Sequence, residues 1–266
     1  MMHAHAALQR VRAPSDRAMP FIRLGVAALV VLIGDLFTPL LQNSGFVINP
    51  WIVTAVRLMT AATVLRYPLA GSVLALEVDK WDWYWLGMGA RSLEDQTIYQ
   101  QWDKCMDLVF LAFATILLLR WPDRRLAWVA LGAFSWRVLG VVTILLTRQE
   151  DMLVFFPNVI ETLFLVAVLY RVLTTADVIF PSWRVALLVL GVLLVPKTAQ
   201  EVFLHVMHNN RPWNVWAVTW LPIGLQAWIW GALMYAPPVL AVPYLWSMSK
   251  QRRPLPVDPE EAMAVV

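Results

Sequence analysis

The sequence predicts an all-α, polytopic transmembrane helical bundle of about eight spans, with seven as the alternative. Three observations predict it. The 266-residue chain is 60% hydrophobic and only 15% charged, against roughly 25% charged in soluble domains. Apolar runs approaching the roughly 20 residues that cross hydrocarbon recur along it. The basic residues flank these runs instead of gathering in one patch, which suits membrane orientation and not nucleic-acid binding. The expected partner is therefore the lipid bilayer, with no nucleic acid; a homo-oligomer or a membrane-complex partner stays open. Cys105 is the single cysteine, so neither an intrachain disulfide nor a thiolate metal site is expected.

Residues 1–19 read as a basic disordered tail, with Arg10, Arg12 and Arg17 against Asp16. No A-x-A site follows the next apolar run, so an uncleaved first helix is expected. Residues 20–248 form the transmembrane domain, and 249–266 a polar C-terminal tail. The first span is Phe21–Leu41, interrupted by Asp35 and Pro39; the second is Phe46–Leu65, with Arg57 inside it. Pro68–Gly89 is long enough to cross, yet it carries Glu77, Asp79, Lys80 and Asp82 beside an aromatic belt of Trp81, Trp83, Tyr84 and Trp85. Residues 90–103 read as a polar loop or a surface helix. The fourth and fifth spans are Lys104–Leu119 and Leu126–Thr147, the latter with Arg137 near its middle. The sixth is Met152–Tyr170, with Pro157, Asn158 and Glu161, and the seventh is Arg184–Val206, with Pro196, Lys197, Glu201 and His205. Trp213–Met248 is too long for one straight span, and Pro222, Pro237, Pro238 and Pro243 divide it.

Charge distribution decides the span count. Lys and Arg prefer the cytoplasmic side of short loops. If Pro68–Gly89 crosses, both termini lie inside; of the 21 Lys and Arg, 13 are then inside, 4 outside and 4 within spans. If it does not cross, a basic cluster falls on the outer face whichever way the chain is turned. Eight spans in a bacterial cell membrane, with both termini cytoplasmic, is the expectation.

That topology gathers the ionisable residues of the spans in the outer half of the membrane. Each costs about 2.5–3.5 kcal/mol on insertion scales, so they are expected to face one another, water or a cavity. Lys197, Glu201 and His205 fall at i, i+4, i+8; Asp103 and Asp107 at i, i+4; Asn158 and Glu161, and Asp79 and Asp82, at i, i+3. Each set thus shares one helix face. Pro157 and Pro196 precede two of the sets, where kinks would free backbone carbonyls toward a cavity. Plain readings stand beside these: Lys197 with Glu201 as an ion pair joining helices, Arg57 and Arg137 each paired with one carboxylate, Asp79 to Asp82 as interfacial residues, His205 at the surface.

The leading functional expectation is a small-solute or ion carrier with an outward-facing polar cavity. Its substrate or proton-relay residues are Asp79, Asp82, Arg137, Asn158, Glu161, Lys197, Glu201 and His205. The alternatives are a membrane-embedded, lipid-modifying enzyme holding a divalent metal at Asp79, Asp82, Asp103 and Asp107, and a structural or assembly subunit in which the charges join helices. No cofactor is specified.

Two resemblances bear on this. Asp79-x2-Asp82, Ala90-Arg91 and Asp103-x3-Asp107 resemble, in order, pieces of the CDP-alcohol phosphotransferase motif D-x2-D-G-x2-A-R-x8-G-x3-D-x3-D. Trp83 and Tyr99 stand at its glycines, Ala90-Arg91 is displaced, and the acidic pairs are three residues too far apart. The resemblance implies a metal-dependent site facing the cytoplasm, whereas the expected topology puts these acids outside. Residues 67–206 also resemble an uncharacterised group of prokaryotic multi-pass membrane proteins. That likeness rests on Trp102-Asp103-Lys104 with Asp107, Phe156-Pro157-Asn158 with Glu161, and Pro196-Lys197 with Gln200-Glu201 and His205. It implies a membrane architecture and no mechanism.

Overall fold

A computed structural model describes residues 14–88, 91–174, 178–202, 237–241, 243–244 and 247. Its longer elements are α1 (Pro14–Asn43), α2 (Pro50–Thr63), α3 (Pro68–Trp85), α4 (Leu93–Leu119), α5 (Arg124–Thr147), a 3-10 segment (Glu150–Phe155), α6 (Val159–Thr174) and α7 (Trp183–Glu201). No strand occurs among the described residues.

Local chemistry sets the helix starts. Asn49 caps α2, accepting from Trp51 N at 2.9 Å, and Pro50 and Pro68 open α2 and α3 where no N–H is needed. Ser92 caps α4 from Asp95 N at 3.2 Å, with Glu94 and Asp95 favoured by the helix dipole. The helix therefore begins eleven residues ahead of the expected fourth span, and the polar stretch before Lys104 is its extension. Asp123 does more than cap α5. Its Oδ1 accepts from Arg125 N and Leu126 N, while its Oδ2 accepts from Ile179 N at 2.9 Å and Phe180 N at 2.7 Å. One carboxylate thus ties the α4–α5 turn to the segment leading into α7. The sixth helix begins at Val159 and not at Met152, because Pro157 cannot continue a helix and residues 156–158 are left without helical bonding. In the other direction, α1 begins at Pro14, inside the stretch expected to be a tail, and runs continuously through Pro20 and Pro39.

α6 is the centre. All its residues except Leu169 and Leu173 are buried, with α3, α4, α5 and α7 packed around it. A helix apolar all round is one that packs on every side. α1 lies outermost, along α3, where Gly34 makes room for the Trp81 ring. Trp81 Nε1 donates to Asp35 Oδ1 at 2.8 Å across the same contact.

Polarity is arranged inside out. Leu146 is 80% exposed and Val195 72%, whereas Asp82 and Arg137 are 0% and 2% exposed. An apolar surface on this scale belongs against lipid or protein. Among the described residues three helices are long and apolar enough to cross a membrane: Ala18–Leu41 within α1, Arg124–Thr147 (α5) and Trp183–Glu201 (α7). The rest fall short for visible reasons. α2 and α6 have 14 and 16 residues. α3 carries Glu77, Asp79, Lys80 and Asp82, and the apolar part of α4 opens with Asp103, Lys104 and Asp107.

Candidate functional site

Two buried charge clusters lie in the bundle. The first is a cage around Arg57, which α2 buries at 6% exposure. Its Nη1 pairs with Asp79 Oδ1 and lies 2.9 Å from Asp82 Oδ2; its Nη2 reaches Asp103 Oδ1 at 3.2 Å and Asp107 Oδ1 at 3.0 Å. Lys104 Nζ closes the outer side, 2.7 Å from Asp103 Oδ2 and 3.2 Å from Asp107 Oδ2. Tyr99 OH donates to Asp82 Oδ1, and the Trp102 ring lies 5.9 Å from Arg57 Cζ. Helical spacing explains the convergence. Asp79 and Asp82 are one turn apart on α3, and Tyr99, Asp103 and Asp107 form a single i, i+4, i+8 stripe on α4. Among the described residues four carboxylates meet two bases, which leaves two formal negative charges in excess.

The second cluster is a chain of bonds. Arg137 Nη1 donates to Glu201 Oε1 at 3.0 Å and to the Phe156 carbonyl at 2.8 Å. Glu201 Oε1 also accepts from Asn158 N at 3.0 Å. Asn158 Nδ2 donates to Glu161 Oε2 at 2.7 Å, and Lys197 Nζ to Glu161 Oε1 at 3.0 Å. The unwound residues before α6 thus supply a free carbonyl and a free N–H to buried ions, as interrupted helices do inside membranes. Gly140 on α5 permits it: a Cβ there would lie 2.4 Å from Phe156 Cβ. Among the described residues, two acids meet two bases, which balance formally.

A cavity of about 20 Å³ joins the clusters, lined by Arg57, Asp79 and Asp107 from the first and Asn158 and Glu161 from the second. On the measure by which one water needs about 10–15 Å³, it holds a water or a bare ion and no organic solute.

The expected relay residues therefore divide. Asp79 and Asp82 belong to the cage; Arg137, Asn158, Glu161, Lys197 and Glu201 form the network; His205 lies outside the described residues. The expected metal set does converge: Asp79, Asp103 and Asp107 each offer an oxygen within 4.8 Å of the others, and Asp82 shares their guanidinium. Arg57 occupies the space between them, however, so a metal would have to displace a fixed cation. Sequence reasoning passed over Arg57 as the hub and Tyr99 as Asp82's donor. The signal was present: Arg57 is the one base inside the second span, and Tyr99 continues the Asp103–Asp107 stripe.

No protein family, curated protein or solved structure compared with this chain matches it significantly.

Proposed function

We propose that the protein is a multi-pass membrane carrier of a small cation, with the cavity between Asp79, Asp107, Asn158 and Glu161 as its internal site. The observation that carries this reading is the cavity itself, which brings carboxylates of the cage and of the network to one small space whose remaining walls, beside Arg57 and Asn158, are the apolar Ala61, Ala75, Leu76, Met106 and Phe110. Uncompensated charge in hydrocarbon costs about 2.5–3.5 kcal/mol per group on insertion scales. The cage's formal excess of two acids therefore favours uptake of positive charge, as a proton on a carboxylate or as a cation beside it. The cavity's size selects an ion or a hydrated proton over a larger solute. The formally balanced Arg137 network supports the helix-joining reading for its own half: it holds α5, α6 and α7 in place beside the cage.

In this reading α1 to α7 are seven of eight spans, the eighth lies within 213–248, and both termini are cytoplasmic. The thirteen basic residues that then fall inside support it. α2 is only about 21 Å long at 1.5 Å per residue, so its crossing includes flanking non-helical residues or a thinned bilayer. Cysteines at exposed Glu94 and Arg124, in a Cys105→Ala background, test the topology. Position 94 is expected to label only from outside and position 124 only from the cytoplasm; labelling of both from one face would remove the α3 crossing.

Reconstituted protein tests the function. Proteoliposomes are expected to dissipate an imposed proton or sodium gradient faster than protein-free vesicles, and Glu161→Gln to abolish the difference. Equal rates in wild type and Glu161→Gln would refute the carrier.

A further inference from the structure

We infer that the cavity is a binding site for one small, hard monovalent cation of the sodium class, with Asn158 Oδ1 as its neutral ligand. This deepens the carrier reading and rests on it for the site's purpose. The key atom is Asn158 Oδ1. Asn158 is 5% exposed and lines the cavity, and its Oδ1 has no hydrogen-bond partner among the described residues. Its orientation is chemically determined: Glu161 Oε2, a carboxylate oxygen, can only accept, so the amide group 2.7 Å away is the NH₂. The carbonyl is left as the free end. An unmet buried acceptor is costly, and native proteins satisfy nearly all of them. It calls for a donor or a cation in the adjoining space.

The other lining groups fit a cation. Asp79, Asp107 and Glu161 border the same space. Glu161's two oxygens each accept one bond, from Lys197 and Asn158. A carboxylate has about four lone-pair sites, so it retains capacity for a further ligand. All donors are oxygens, which suits hard ions. The charge of the ion follows from space and neighbours. Magnesium keeps several waters, more than a cavity of about 20 Å³ accommodates, and calcium takes about 6–8 oxygens, more than Asn158 Oδ1 and one oxygen from each of Asp79, Asp107 and Glu161 supply. Arg57 also lines the space, so one fixed cation already stands among these carboxylates. One bare monovalent ion fits both limits.

The test uses the full-length protein in detergent. Thermal unfolding is followed as NaCl replaces N-methylglucamine chloride at constant ionic strength, with equilibrium ²²Na⁺ binding measured in parallel. Wild type is expected to bind about one sodium per chain and to gain a saturable rise in Tm on the order of 2–4 °C, about 1 kcal/mol for a chain of this size. Asn158→Ala is expected to lose both effects while keeping its helical circular dichroism. Should that variant fail to fold, ²²Na⁺ binding to wild type and to Glu161→Gln decides. Absence of sodium binding in wild type, undiminished binding in both variants, or stabilisation by MgCl₂ or CaCl₂ in place of NaCl would each overturn the inference. Sodium binding without vesicle flux would retain the site and refute the carrier. Flux without sodium dependence would retain the carrier, moving protons, and refute the site.

Discussion

The Arg57 cage and the Arg137 network use the same parts to different ends. Each has one buried arginine and one lysine, and each is drawn from neighbouring helices of one bundle. The network matches its two bases with Glu161 and Glu201 and adds backbone groups of residues 156 and 158. The cage sets its two bases against Asp79, Asp82, Asp103 and Asp107. Ionised groups in both are taken out of water, so the difference in balance separates two roles. A network whose described acids and bases balance suits the helix-joining reading. In the proposed reading, the unbalanced cage beside a cavity takes up positive charge. Burial alone does not distinguish them, since both arginines are almost fully enclosed.

Substitution of the two arginines sharpens the contrast most. Arg57→Leu leaves four carboxylates facing Lys104, and the loss is expected at or above the top of the range of about 3–5 kcal/mol for breaking a buried ion pair. Arg137→Leu strands fewer charges and is expected near the bottom of that range, with part recovered on adding Glu201→Gln. Denaturant unfolding in detergent compares them; equal losses would remove the imbalance on which the contrast rests. A smaller effect is expected from Gly140→Ala. Its methyl would press on Phe156 and shift the carbonyl that Arg137 bonds, at about 1–3 kcal/mol for overpacking. The same unfolding assay reads it, and an unchanged midpoint would show that the segment before α6 yields freely.

The helical class was legible from the apolar runs, since nothing but helices or closed barrels satisfies the backbone in lipid. Element limits were less so. Ser92 and the acids behind it extend α4 well ahead of its apolar part, and a hydropathy reading cannot see a helix that continues into polar sequence. Pro157 shortens α6, and its carbonyl-freeing effect was readable from the residue type. Shared faces followed from spacing, so Asp79 with Asp82, Asp103 with Asp107 and Lys197 with Glu201 were recoverable. Their partners were not. That Arg57 meets four acids depends on how α2, α3 and α4 are rotated toward one another, and periodicity within a helix carries no such information. Asp123 shows the same limit: it reads as a loop acid, yet it accepts four backbone N–H groups.

The decisive comparison pairs cation flux with stability in Asp79→Asn and Glu201→Gln. Asp79 is the half-buried, cavity-lining acid of the cage, and Glu201 is the hinge of the network. Asp79→Asn keeps the side chain's shape and lowers the cage's formal excess by one, so it is expected to unfold close to wild type, yet to lose most of the flux. Glu201→Gln is expected to be clearly destabilised, with flux per folded molecule largely retained. Wild-type flux in Asp79→Asn would contradict the account, because the unbalanced carboxylates would then have no part in moving the ion.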